Sequence, residues 1–295
     1  MPEPTKYEPQ PPPHLRDRSV PLTSLEARIS AWIRPKLPGF AYEFLAFGFK
    51  QAWACLYAGV MLAMIVGTKF VWNPDWPVAR YDFLTVAAVL LQLLLLELKL
   101  ETPREALVIL IYHVVGTIME IFKTEMGSWT YPEPSALRIG GVPLFTGFMY
   151  ACVGSYMVRA IRLFDMRFEP YPPFWMTAAL ALGIYINFFT HHYIFDLRYL
   201  LMAGTLLLFG RTRIWFTPGE KICWMPLPLA ALLTAFFLWI AENIGTFTGT
   251  WLYPSQKTWH LVGFSKMGSW YLLLFLSFVL VTLVHRPRGR DGAVA

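Results

Sequence analysis

Charge is scarce in this sequence of 295 residues: Asp, Glu, Lys and Arg make up 15 % of it, against 56 % apolar and 17 % aromatic residues. That balance lies outside the soluble globular range and points to a membrane protein. Cysteine is scarcer still. Cys55, Cys152 and Cys223 are odd in number and far apart, which indicates neither a disulfide framework nor a Cys-based zinc site and leaves them as small buried apolar groups. A Walker loop, a dinucleotide-type glycine signature and a Gly-x-Ser-x-Gly elbow are all missing, which counts against nucleotide-driven work and that kind of hydrolysis. The first 23 residues lack an apolar core of the signal-peptide kind, and their Pro-rich run Glu8-Pro-Gln-Pro-Pro-Pro13 predicts a disordered tail over 1–23. The net charge of +6 is not gathered on one basic face, so no nucleic-acid partner is expected and no cofactor is indicated.

What is present is a series of long apolar runs. Crossing a bilayer takes about 20 mostly apolar residues per helix, and stretches near 51–72, 81–100, 104–123, 142–164, 173–193, 196–210, 226–246 and 268–285 qualify. The fold expected is all-α, a polytopic transmembrane helix bundle of about eight spans. Ahead of it, Leu25, Ile29, Trp32 and Ile33 share one helical face, which predicts an interfacial amphipathic helix over 24–36. Prolines fall between the spans, and Pro103 and Pro226 fall near helix starts, where a missing N–H costs little. With an even number of spans and both ends inside, inner segments carry 18 of the 25 Lys and Arg residues, so the positive-inside rule puts both termini in the cytoplasm. A basic C-terminal tail occupies 287–295.

The chain also repeats itself. Glu120-Ile-Phe-Lys-Thr-Glu-Met-Gly-Ser-Trp-Thr-Tyr-Pro132 aligns without gaps on Glu242-Asn-Ile-Gly-Thr-Phe-Thr-Gly-Thr-Trp-Leu-Tyr-Pro254, with six of thirteen positions identical. The offset of 122 residues also superposes spans one to four on spans five to eight. Two tandem four-helix repeats are therefore expected over 40–164 and 165–286, parallel and related by an axis along the membrane normal, with both Glu-to-Trp-x-Tyr-Pro segments at the outer surface.

A carboxylate in a membrane helix costs roughly 2.5–3.5 kcal/mol at the bilayer centre, so it usually has a partner and a purpose. Glu120 and Glu242 are thus the candidate acid or proton-binding pair; the competing role is to fix the following turn by accepting backbone or Trp N–H hydrogen bonds. Trp129, Tyr131, Trp251 and Tyr253 fit an interfacial aromatic belt or the lining of a shared outer cavity, where they would contact an apolar ligand or a cation. His113 lies two turns before Glu120 on the same face, suited to a proton relay, to a metal ligand pair or to a hydrogen-bonded interior histidine. Asn243, beside Glu242, joins the candidate binding residues. His191, His192 and Asp196 form a second polar cluster and are further metal candidates, although adjacent histidines on a helix diverge and no metal site is expected. Glu97, Lys99, Glu101, Arg104 and Glu105 read as ion pairs at an inner boundary.

Phe47-Gly-Phe-Lys-Gln-Ala-Trp53, Met126-Gly-Ser-Trp-Thr-Tyr-Pro-Glu-Pro134, Gly141-Val-Pro-Leu-Phe145, Ala241-Glu-Asn-Ile-Gly-Thr246 and Thr282-Leu-Val-His-Arg286 resemble the bacterial membrane family called domain of unknown function 817, over roughly residues 40–288. The resemblance implies a bacterial inner-membrane location and no particular activity. A shorter similarity, of helix-borne carboxylates near Gly, Trp, Tyr and Pro, is to membrane carotenoid hydratases and small lycopene cyclases, and implies protonation of an isoprenoid double bond by Glu120 or Glu242. Three functions follow as alternatives: a lipid- or isoprenoid-binding or -modifying protein using the paired Glu at an outer-facing cavity, a proton-coupled small-molecule transporter, and a membrane scaffold without chemistry. The partners expected are the lipid bilayer and an apolar ligand. Oligomeric state and enzymatic character are left open.

Overall fold

The computed structural model describes residues 31–32, 34–256 and 259–284. The expected tails over 1–23 and 287–295 and most of the expected interfacial helix over 24–36 lie outside them. Among the described residues the chain forms nine α-helices and five short strands. In order these are α1 (Gly39–Ala54), α2 (Leu56–Val71), α3 (Arg80–Glu97), α4 (Pro103–Glu125), β1 (Arg138–Ile139), β2 (Val142–Pro143) and α5 (Phe145–Leu163). There follow β3 (Arg167–Glu169), α6 (Phe174–Thr190), α7 (Arg198–Phe209), β4 (Arg213–Phe216), β5 (Cys223–Pro226), α8 (Leu227–Phe247) and α9 (Ser265–Val284).

Several of these helices are apolar all round, which is what a lipid environment requires. On α4, Val108, Ile109, Tyr112 and Met119 are buried while Leu107, Leu110, Val114 and Ile118 face outward. Segments Glu105–Glu125, Leu227–Phe247 and Ser265–Thr282 are each long and apolar enough to cross a membrane, and the pair α1 and α2, bent by 66°, makes a fourth candidate. Helices stand at every place where a span is expected, but α7, with 12 residues, covers only about 18 Å against a hydrocarbon core of roughly 30 Å.

α4 begins with a capping box, in which Thr102 and Glu105 exchange hydrogen bonds, and with Pro103 in its first turn. α5 lies along α4 at close quarters: a Cβ on Gly116 would come within 2.6 Å of the Tyr150 side chain, so only glycine allows the approach. A hairpin of β1 and β2 leads into α5, and its turn needs positive φ at both Gly140 (56°) and Gly141 (77°). The largest apolar core gathers around Phe164, Phe209, Leu272, Phe275 and Phe278, between α5, α6, α7 and α9.

Two features depart from the all-α expectation of straight spans. First, β3, β4 and β5 form a three-stranded antiparallel sheet beside that core; its strands are only three or four residues long, too short to stand out beside the apolar runs. Second, the chain breaks at Cys55 between α1 and α2. A guanidinium seals the break: Arg159 Nη2 donates to the Trp53 carbonyl at 2.8 Å and Nη1 to that of Leu100 at 3.3 Å. Arg159 is 0 % exposed and lies 3.7 Å from the Glu101 carboxylate, which also accepts from Ser155 at 2.7 Å and Gln92 at 2.6 Å.

Candidate functional site

The local chemistry of the site begins where α4 and α8 end. Helix α4 stops in a Schellman turn: Ser128 N–H donates to Lys123 O at 2.9 Å and Gly127 N–H to Thr124 O at 3.0 Å. α8 stops in the same way, with Thr250 N–H on Gly245 O at 3.1 Å and Gly249 N–H on Thr246 O at 3.0 Å. Gly127 and Gly249 both take φ of 67°, the left-handed conformation the turn requires. After each turn the chain runs back extended beside its own helix. Side chains two apart on an extended segment share a face, so one Trp and one Tyr from each returning segment point at the Glu left behind on the helix.

The result is two carboxylate sites of the same design. Glu120, 4 % exposed, accepts Trp129 Nε1–H at 2.8 Å and Tyr131 O–H at 2.6 Å on Oε2, and Tyr150 O–H from α5 at 2.8 Å on Oε1. Glu242, 7 % exposed, accepts Trp251 Nε1–H at 2.8 Å and Tyr253 O–H at 2.6 Å, both on Oε1. Burial first, and then the Glu120 carboxylate, push the Tyr131 phenol well above its ordinary range; burial and Glu242 do the same to Tyr253. Both phenols therefore stay protonated donors throughout the physiological range.

The two sites are stitched together. Thr130 and Leu252 form an antiparallel bridge, exchanging N–H···O bonds of 2.9 and 3.0 Å, and the Trp129 and Tyr253 rings meet edge to face with centroids 6.1 Å apart. Glu120 thus connects to Glu242 through one aromatic pair. Lys266, in the first turn of α9, sits over both rings, 4.4 Å from the Tyr253 centroid and 5.6 Å from that of Trp129. A crevice of about 20 Å³ is lined by Tyr112, Gly116, Met119, Trp270, Leu273 and the Glu120 donor Tyr150; that is room for about one water.

The remaining sequence candidates fall elsewhere. His113 packs its ring 4.3 Å from that of Phe148, and its Nδ1 has no hydrogen-bond partner among the described residues. Asn243 points away from the carboxylates: its Nδ2 donates to Trp239 O at 2.8 Å and its Oδ1 accepts Val262 N–H at 2.8 Å, which holds the approach to α9. A metal role for His191, His192 and Asp196 gives way to other bonding. Both imidazoles turn their Nε2 atoms to the Lys123 ammonium, at 3.1 and 2.7 Å, and Asp196 is taken by Arg198 at 2.6 Å. Burial opposes ionisation of Asp196, but hydrogen bonds from Asn187 and Arg198 outweigh it and hold its carboxyl below the usual range. Burial and then the Lys123 charge push His192 below the ordinary histidine value.

Two partners of the site, Tyr150 and Arg80, are not among the sequence candidates. Tyr150 reaches Glu120 from 30 residues away. Arg80, buried at the start of α3, ion-pairs with Glu133 at 2.8 Å and donates to Thr250 Oγ1 at 3.2 Å, while Tyr81 O–H donates to Thr250 O at 2.8 Å. α3 therefore clamps the second turn to the end of the first segment. A basic residue at the head of an apolar run beside an acidic Tyr-Pro-Glu-Pro loop was the available signal for the Arg80–Glu133 pair.

The family profile described as "Protein of unknown function (DUF817)" matches residues 43–278. Among curated proteins, the chain is similar to "Uncharacterized protein YoaT" of Bacillus subtilis (strain 168), 42 % identical over 254 residues that cover 86 % of this chain and 96 % of the relative. No solved structure matches.

Proposed function

This chain belongs to the DUF817 family, and we propose that it is a multi-pass protein of the bacterial cytoplasmic (inner) membrane that couples movement of a small solute to proton exchange at Glu120 and Glu242. In this reading it has eight transmembrane passages, some of them short or broken, arranged as two parallel four-helix halves with both termini inside. The observation that carries it is the duplicated carboxylate site: two buried Glu side chains, each held by the Trp and Tyr of its own returning segment, joined at the Thr130–Leu252 bridge. Two of the three donors around Glu120, Tyr131 and Tyr150, suit either charge state, because a phenol gives a hydrogen bond to a carboxylate and accepts one from a carboxylic acid, whereas the Trp129 indole only donates. Parallel-repeat transporters place their coupling groups at such a junction between halves.

Proteoliposomes loaded with a pH-sensitive dye test this. Pools of small solutes added outside should drive proton movement in wild-type vesicles and none in Glu120→Gln or Glu242→Gln vesicles of equal thermal stability. Proton movement unaffected by both substitutions removes the carboxylates from the mechanism.

The aromatic surround of Glu120, with Trp129, Tyr131 and Tyr150 all directed at its carboxylate, favours a second reading, in which Glu120 protonates or holds a lipid or isoprenoid that enters from the bilayer. Lipid profiles of cells expressing the wild type and the double Gln variant separate the two readings: a lipid change that depends on Glu120 and Glu242 supports the second, and identical profiles dismiss it.

A further inference from the structure

The duplication is broken at one position that matters electrostatically. Lys123 stands three residues after Glu120, where the second segment has Gly245, and Trp251 folds directly over that glycine. Lys266 likewise corresponds to Leu144 at the same offset. The two halves therefore share their carboxylates but not their cations.

These cations converge on one face of the carboxylate junction. Lys123 is buried, with its ammonium on the Nε2 atoms of His191 and His192 at 3.1 and 2.7 Å and 4.4 Å from the Phe188 ring centroid. Lys266 rests on the rings of Tyr253 and Trp129, the aromatic pair that links Glu242 to Glu120. Among the described residues neither ammonium belongs to an ion pair, whereas nearby Arg198 is matched by Asp196. Lys266, Arg198 and Asp196 lie within electrostatic reach of Lys123, and Arg198 and Glu242 within reach of Lys266. The direct contacts of the two ammonium groups are imidazole and aromatic rings; Asp196 is paired with Arg198, and among the described residues Glu242 is the one carboxylate near Lys266, so the face keeps an excess of positive charge that attracts an anion. A guest carboxylate or phosphate oxygen would complete the donor capacity of both ammonium groups.

We propose that Lys123 and Lys266, with His191 and His192 beside them, bind the anionic group of the solute, a carboxylate or a phosphate, at the outer mouth next to Glu242. This names the substrate class of the transport site and rests on the transport reading above. The lack of any counterpart in the repeat makes the site single, so one anion binds per chain.

The test uses the full-length protein in nanodiscs of phosphatidylcholine, with thermal unfolding read during titration with succinate and with inorganic phosphate. A parallel set in nanodiscs containing phosphatidylglycerol distinguishes a lipid headgroup from a free anion. The wild type should be stabilised by succinate, by phosphate or by phosphatidylglycerol, and the Lys123→Met/Lys266→Met variant should need at least about tenfold more anion for the same response. Lys123→Arg/Lys266→Arg should keep the response, which separates charge from folding. A wild type insensitive to all three anions, or a double Met variant that responds as the wild type does, overturns the proposal. Glu120→Gln/Glu242→Gln should still respond to the anion. Wild-type protein that binds the anion without moving protons would end the transport reading while leaving the anion site in place.

Discussion

The second carboxylate site depends on a glycine that has no room for one more carbon. A Cβ added at Gly245 would fall 1.8 Å from Trp251 Cη2 and 2.2 Å from Cζ2. Contacts that short force the indole to move, and its Nε1–H is the donor held 2.8 Å from Glu242. Overpacking of this kind costs about 1–3 kcal/mol. Loss of a hydrogen bond to a charged group adds roughly 1.5–3 kcal/mol, and the better helix propensity of alanine returns about 1 kcal/mol. Gly245→Ala should therefore destabilise by about 1.5–5 kcal/mol. Gly67→Ala is the internal control: it too lies within a helix, but nothing stands within 4 Å of an added Cβ, so it should stabilise by about 0.5–1 kcal/mol. Circular dichroism of thermal and SDS-induced unfolding in one detergent reads both. Trp251→Phe removes the ring atoms that clash, so combining it with Gly245→Ala should cost less than the sum of the single changes by about 1 kcal/mol or more. A Gly245→Ala protein as stable as the wild type, or a strictly additive pair, refutes the reasoning.

Other expectations follow from the same contacts. Arg159→Met leaves the buried Glu101 carboxylate without its cation and the Trp53 carbonyl without its side-chain donor and should destabilise by about 3–5 kcal/mol, whereas Arg162→Met, which removes a half-exposed guanidinium, should cost less; equal losses in the same unfolding assay contradict this. Thr130→Cys/Leu252→Cys, made after replacing Cys55, Cys152 and Cys223, should cross-link under mild oxidant, because a hydrogen-bonded antiparallel pair sets Cα atoms about 5.5 Å apart; thiols that stay free by mass spectrometry speak against the bridge. His192 has its folded pKa pushed down, so the unfolded chain takes up the proton first and the contribution of this group to stability falls as pH drops below the ordinary histidine value. Lys123→Met should raise the His192 midpoint in histidine NMR titration, and an unmoved midpoint denies the electrostatic contact. Tyr131→Phe removes one of three donors to Glu120 and should cost about 1–3 kcal/mol, with a stability equal to wild type as the contrary result.

The helices and the carboxylate sites were legible in the sequence for local reasons. Apolar runs mark α4, α8 and α9, and the spacing from Glu120 to Trp129 and Tyr131 is the length of a helix end, a glycine turn and a returning segment. What could not be read was tertiary in origin. The break at Cys55 has neither proline nor glycine to announce it; Arg159, more than a hundred residues later, donates to the carbonyl that the break exposes. Tyr150 and Arg80 reach the site from other helices, at spacings that carry no pattern. His191 and His192 looked like metal ligands because their real neighbour, Lys123, lies 68 and 69 positions away.

The placement of each carboxylate's donors bears on how such a chain enters a membrane at all. A bare carboxylate on an apolar helix is a liability during synthesis, when its eventual neighbours on later helices have not yet been made. Here the Trp and the Tyr come 9 and 11 residues behind the Glu they bind, on the stretch of chain that leaves the ribosome next. Each acidic group carries its own solvation with it. The ties between the two segments, the Thr130–Leu252 bridge and the Arg80 and Tyr81 contacts to Thr250, have to wait for the later part of the chain, so insertion of the charge and assembly of the site are separate events in time.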